Sequence, residues 1–350
     1  MNGAINPVEY VELAPGYRIP RIIRGGWQLA GDHGPVERDR AITDMGAFLR
    51  AGLNTVDGAD IYTGVEDMYG DFNAVQMAAR QPRMQVHTKL VPDYGDLATV
   101  DAAQVRRIVT RSLSRLKADR LDLVQLHWWD YSVARYVEAA VALHSLQKEG
   151  LIAHIGGTNF DAAHIHEILS AGVPVVSMQT QYSLLDRRPR GSLAALCAKE
   201  NMHLLCYGSL AGGFLTEHWL GQPEPASPME NRSLVKYKLI IDEFGGWAAF
   251  QELLQVLKTI AQGHAVSLSS VAVRWVLEQP GVAAAIVGAR YANRLASTLE
   301  VFSFQLDDAD RALLDSVLAA HPGPAGDPYS LERDKTGPHG RIMKYDLNKS

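Results

Sequence analysis

Four polar residues stand at or just past the ends of short apolar stretches: Asp57 and Tyr62 in NTVDGADIY, Lys89 in VHTKL, and His127 in LVQLH. Together these residue types can relay a proton to or from a substrate oxygen. A phenol is a poor acid at neutral pH, with an unperturbed pKa of about 10. A neighbouring ammonium favours the phenolate, so Lys89 would bring the Tyr62 phenol down toward its working range. Asp57 would hold Lys89 charged and oriented. His127 would donate a hydrogen bond to an oxygen that gathers negative charge. Any one of the four alone is an ordinary turn, ion-pair or core residue. The set is informative because one residue closes each of three successive apolar stretches and Tyr62 follows Asp57 by five positions.

The elements that must position them alternate along the chain. The apolar runs predict strands at Ile22–Trp27, Asn54–Val56, Gln85–Thr88, Leu123–Leu126, Ala153–Gly156, Val175–Gln179, His203–Tyr207 and Ala284–Val287. Most are continuously apolar, as parallel strands buried on both faces are. Helix-period segments lie between them. Glu37–Arg50 stripes Ala41, Met45, Phe48 and Leu49; Asp101–Lys117 stripes Val105, Ile108, Val109, Leu113 and Leu116. Asp161 opens a further helix that Gly172 stops, and Ser267 caps Leu268–Gln279. Eight strand–helix units imply an α/β fold closed into a (β/α)8 TIM barrel, with an open doubly wound sheet as the competing architecture. In a barrel, Asp57, Tyr62, Lys89 and His127 would line one side of the mouth at the strands' C-terminal ends. The whole chain, 1–350, reads as one domain with a core over about 20–319. A Pro-rich, then aromatic segment at 220–247 is expected to form a lid loop, and a tail at 321–350 to lie over the mouth or hang loose.

Bulk properties narrow the classes. A net charge of −5 without a Lys/Arg-rich run argues against nucleic acid. No apolar run approaches a membrane span, and MNGAINPVEYVEL lacks the pattern of a secretory leader. Cys197 and Cys206, the two cysteines, are expected as buried free thiols. These features point to a reducing cytoplasm. His33, His144, His154, His164, His166 and His264 make no metal-ligand pattern, so no metal is expected.

DGADIYTGVEDMYG, LDLVQLHWWD, IGGTNF, MQTQYSLLDR and IVGARYANRLASTLE together resemble the aldo-keto reductases over roughly residues 20–319. The resemblance implies a barrel that reduces carbonyls with a nicotinamide cofactor, with Asp57, Tyr62, Lys89 and His127 as its active-site four. It further implies that Thr158, Asn159 and Gln179 bind the carboxamide and that Tyr207 stacks on the ring. Gly208, Ser209, Leu210 and Gly212 would approach the pyrophosphate through backbone N–H groups. Gly26, Trp27 and Gly288 would also flank the cofactor, and Arg290 and Arg294 would grip an adenosine 2′-phosphate. The two arginines favour NADP(H). That last segment departs from the family pattern, with Val287 at the family proline and Ser297-Thr298 at its Glu-Asn pair, which keeps NAD(H) as the alternative.

Trp27, Trp128 and Trp129 are candidate walls of a substrate pocket, and Glu66 a candidate support of the active-site loop. The function expected is reversible reduction of a small-molecule aldehyde or ketone to an alcohol. The alternatives are a dehydrogenase of a cyclic alcohol or sugar, and a nicotinamide-binding regulatory subunit resembling potassium-channel β subunits.

Overall fold

The computed structural model describes residues 8–31, 34–226 and 228–348; His33 lies outside them. Eight strands form the core: β3 (Ile22–Gly25), β4 (Thr55–Asp57), β5 (Gln85–Leu90), β6 (Leu121–His127), β7 (Ile152–Thr158), β8 (Val175–Gln181), β9 (His203–Tyr207) and β10 (Val282–Gly288). Each pairs in parallel with the next, and β10 returns to pair with β3, closing the barrel. Closure settles the choice between a barrel and an open sheet. All eight expected stretches are strands. The first ends at Gly25, because Trp27 already belongs to a 3-10 turn, Trp27–Leu29.

Two strands precede the barrel: β1 (Tyr10–Ala14) and β2 (Tyr17–Pro20), an antiparallel hairpin turning at Pro15-Gly16. Since β2 runs directly into the start of β3, the hairpin sits at the barrel's N-terminal end. Its Leu13 and Ile19 join Ile23, Leu123, Leu205, Ala284 and Ile286 in one buried cluster. The hairpin thus floors the barrel, leaving the opposite, C-terminal mouth for chemistry. Burying a side chain such as Leu13 contributes roughly 1.5–3 kcal/mol.

Helices α1 (Arg38–Arg50), α2 (Val65–Ala78), α3 (Ala102–Leu116), α4 (Tyr136–Lys148), α5 (Ala162–Ser170) and α6 (Ser192–Lys199) follow strands β3 to β8 in turn. Side-chain caps start α3 and α5: Asp101 accepts from Gln104 N and Asp161 from His164 N.

Three helices follow β9: α7 (Arg232–Phe244), α8 (Gly246–His264) and α9 (Leu268–Leu277). Ser267 caps α9 through Ser270 N, as expected. In the segment expected as a lid loop, 220–247, the first half is irregular and the second half is α7. Asn231 caps it by accepting from Leu234 N, and Tyr237, Ile240, Ile241 and Phe244 bury one face. After β10 come α10 (Leu295–Leu299) and α11 (Asp308–Ala320), then the short α12 (Ser330–Arg333) and α13 (Pro338–Arg341) of the tail. The tail is anchored at several points over the mouth. Cys197 and Cys206 are buried and unpaired, and no described helix is long and apolar enough to cross a membrane.

Candidate active site

The C-terminal ends of the strands present one functional side chain after another: Asp57 ends β4, Lys89 is penultimate in β5, His127 ends β6, Thr158 ends β7, Gln179 lies in β8 and Tyr207 ends β9. Parallel pairing sets Asp57 opposite His87, Lys89 opposite Gln125, and His127 opposite Thr158, which in turn faces Gln179. Tyr62 is carried by the β4–α2 loop. That loop is pinned by Tyr62 N–H to the Ala59 carbonyl and Val65 N–H to the Tyr62 carbonyl, both 3.0 Å. Glu66 braces it from below, accepting from Thr88 at 2.7 Å and Arg115 at 3.3 Å.

Lys89 Nζ donates to Asp57 Oδ2 and to the Gly58 carbonyl, each at 2.8 Å. It also lies 4.9 Å from the centre of the Tyr62 ring. Burial is the largest influence on Lys89 and disfavours its charge, yet Asp57 and Tyr62 together outweigh it and raise its pKa. Lys89 is therefore an ammonium throughout the neutral range. Tyr62 departs from the sequence-based expectation. Burial raises the phenol above its ordinary value, and Lys89, the next influence, only partly offsets this. The group is a protonated phenol at neutral pH, with no standing phenolate.

His127 also differs from expectation. Burial first, then the Arg333 charge, pushes it down to about 3, so the ring is neutral. Its Nδ1 lies 3.3 Å from the Thr158 carbonyl, which can only accept. The ring proton therefore belongs on Nδ1, and Nε2 presents a lone pair. Nε2 is buried with no hydrogen-bond partner among the described residues. Donation from Nε2, as expected from the sequence, would require the other tautomer.

These residues open into a cleft of about 1320 Å³ lined by Trp27, Asp57, Tyr62, Lys89, His127, Trp129, Thr158, Asn159, Gln179 and Tyr207 at the tetrad end. The lining continues past Gly208, Ser209, Leu210 and Gly212 to Gly288, Arg290 and Arg294. Two expected residues are absent from it. Trp128 is fully buried, and its indole N–H bonds the Asp130 and Val133 carbonyls at 3.1 and 2.9 Å. Gly26 sits under the strand end, where a Cβ would lie 2.4 Å from the Tyr69 hydroxyl; Gly25 faces the cleft instead. Gly208 and Gly212 have positive φ, and a Cβ on either would strike Tyr237 of α7, at 2.4 and 2.6 Å. The lid helix thus lies directly on that glycine loop.

Residues that the sequence reading did not single out complete the cleft: Lys236 from α7, and Tyr329, Met343 and Leu347 from the tail. Among the described residues His264, Asp307 and Asp310 also converge, but Asp307 and Asp310 form the α11 capping box and Asp310 accepts from His264 at 2.7 Å.

An eight-stranded parallel barrel matches what comparison with known proteins finds. The aldo/keto reductase family model matches residues 21–319, and the chain belongs to that family of NAD(P)H-dependent oxidoreductases. It is 28% identical over 321 residues to the aldo-keto reductase YhdN of Bacillus subtilis, covering 89% of this chain and 94% of the relative. It is 25% identical to the NADH-specific methylglyoxal reductase of Escherichia coli, covering 86% and 95%. The glycerol dehydrogenase structure from Gluconobacter oxydans superposes with a TM-score of 0.76 at 24% identity, covering 93% of this chain and 98% of that one.

Proposed function

We propose that this chain reduces a small-molecule aldehyde or ketone to an alcohol, reversibly, using NADP(H). The observation that carries the reading is the Lys89 ammonium, fixed at 2.8 Å from Asp57 beneath the Tyr62 ring and in the same cleft as His127.

The donors and acceptors fit a nicotinamide. A carboxamide offers one acceptor and two donors. Tyr207 O–H donates to Asn159 Oδ1 at 2.8 Å, leaving the Asn159 amide N–H groups for the carboxamide oxygen. Gln179 donates to Asp57 at 2.7 Å and to Gln125 at 3.1 Å, leaving its Oε1 to accept from the carboxamide nitrogen. The Tyr207 ring at the cleft wall supplies a flat face for stacking. When bound, the cofactor supplies the hydride. Tyr62 delivers the proton from its phenol oxygen, and Lys89 stabilises the phenolate left behind. His127 Nε2 accepts from the hydroxyl, which orients the alcohol. Trp27, Trp129 and Tyr329 exclude water and give the substrate an apolar enclosure.

The adenosine end favours NADP(H) through Arg290 and Arg294, both in the cleft lining; NAD(H) is the alternative, and one relative is named NADH-specific. The bare His127 Nε2 favours a second reading of the same site, preferential oxidation of a cyclic alcohol or sugar, because that reaction starts from a hydroxyl donor.

The test is fluorescence titration with NADPH and NADH, followed by cofactor absorbance with aromatic aldehydes, cyclic ketones, sugar aldehydes and methylglyoxal. Tighter NADPH binding with turnover on a carbonyl is expected. Failure to bind either cofactor would overturn the reading.

A further inference from the structure

The tail crosses the mouth from one rim to the other. Arg187 holds its beginning by donating to the Leu318 and His321 carbonyls at 2.9 and 2.8 Å. Its far end ties to the β5–α3 segment, where Tyr94 N–H donates to the Tyr345 carbonyl at 2.9 Å and Asn348 N–H to Asp93 at 2.9 Å. Between these ties, Glu332 and Arg333 on α12 reach different parts of the barrel.

Glu332 anchors the helix. Its buried carboxylate lies 3.4 Å from both Arg188 Nη1 and Lys236 Nζ, and Arg188 is itself bonded to Asp186 at 2.7 and 2.9 Å. Arg333 reaches inward. One nitrogen, Nη2, donates to the Trp128 carbonyl at 3.0 Å and to the Asn159 carbonyl at 2.8 Å. Its guanidinium lies 4.0 Å from the centre of the Tyr131 ring and 5.2 Å from that of Tyr329. Trp128 directly follows His127, and Asn159 directly follows Thr158, the two ends that pair across β6 and β7. A single side chain therefore bridges the strand exits that carry His127 and the amide of Asn159.

Asn159 needs such support. Its φ is 62°, in the left-handed region that favours glycine. Three contacts hold it there: its N–H donates to the Gln179 carbonyl at 2.9 Å, its Oδ1 accepts from Tyr207 at 2.8 Å, and its carbonyl accepts from Arg333. The first two come from β8 and β9 of the barrel, and the third from the tail.

We propose that Arg333 is a positioning residue: by bridging the Trp128 and Asn159 carbonyls it sets the orientation of His127 and of the Asn159 amide, so that the site is complete only when the tail is docked. The inference rests on the reading of those two residues as substrate- and cofactor-facing. Misplacing a reacting group by about 1 Å costs on the order of 10²-fold in rate.

The test uses the full chain with Arg333→Met, Arg333→Lys and Arg333→Ala. The expected result for Arg333→Met is a drop in kcat of roughly 10- to 100-fold at saturating substrate and cofactor, with a Kd for NADPH raised by about one order of magnitude. Arg333→Lys keeps a charged donor and should fall between Arg333→Met and wild type in both. Added guanidinium should restore part of the loss in Arg333→Ala. A purely structural tail anchor would instead lower thermal stability or raise the substrate KM, and leave kcat and cofactor Kd within twofold of wild type; that result overturns the proposal. If Arg333→Met does not fold, Arg333→Lys decides by the same two readouts. Cofactor Kd needs no turnover, so an unchanged Kd in the variants refutes the positioning role, whereas a wild-type protein that binds no cofactor refutes the functional reading.

Discussion

Gln179, 122 residues away in the chain, donates its amide to Asp57 Oδ1 at 2.7 Å while Lys89 occupies Oδ2 at 2.8 Å. Both oxygens of the carboxylate are thus engaged, one by the strand that would face the cofactor and one by the ammonium that would serve the phenol. Asp57 joins the two halves of the site.

Asp57→Asn removes the charge that keeps Lys89 protonated in a buried setting. Breaking a buried pair from one side costs roughly 3–5 kcal/mol. Urea unfolding should show a loss of that order, accompanied by reduced turnover. A variant as stable and as active as wild type would show that the pair is dispensable.

Two buried histidines make stability depend on pH. Burial pushes both His87 and His127 down to about 3, from an ordinary value near 6.5. Between those values the unfolded chain binds protons that the folded chain refuses. The stability they contribute is fully present above about pH 6.5 and is lost as pH falls toward 3. From pH 6 to pH 5 the loss should be about 2 kcal/mol for the pair. His127→Gln should reduce that slope by about half; an unchanged slope would mean the ring is not held neutral.

Much of this was legible in the sequence, for identifiable reasons. Continuous apolar runs located all eight barrel strands, and Asp101, Asp161 and Ser267 marked helix starts because capping is local chemistry. The α7 helix was also readable, from Asn231 and the spacing of Tyr237, Ile240, Ile241 and Phe244, but the Pro-rich approach disguised it. The hairpin YVELA–PG–YRIP is short, and only docking under the barrel makes it a floor. Trp128 and Trp129 are adjacent, yet one lies in the core and the other in the cleft; neighbours at a strand exit point to opposite sides, and spacing does not say which is which. The raised phenol pKa of Tyr62 reflects burial by distant segments, a quantity absent from local motif chemistry. Glu332 and Arg333 acquire meaning only from where the tail lands.

The reduction rate should report the phenol directly. Burial raises the Tyr62 pKa above the ordinary tyrosine value of about 10, so the proton-donating form persists through neutral pH. The kcat for reduction should stay flat from about pH 6 to 9 and decline only near or above about pH 10, while the rate of alcohol oxidation climbs with pH. A reductive kcat that halves between pH 7 and 8 would point to another acid.

Arg294→Ala should weaken NADPH more than NADH, since a guanidinium at the adenosine end discriminates through the 2′-phosphate. Isothermal titration with both cofactors measures it. Equal losses would remove Arg294 from phosphate recognition.

Single-turnover kinetics of Tyr62→Phe with NADPH and the best carbonyl substrate isolates the proton transfer assigned to Tyr62. The variant should keep a near-normal cofactor Kd, with the rate of cofactor oxidation lowered by roughly 10²–10⁴-fold. A variant that binds cofactor and reduces the carbonyl at the wild-type rate would contradict it.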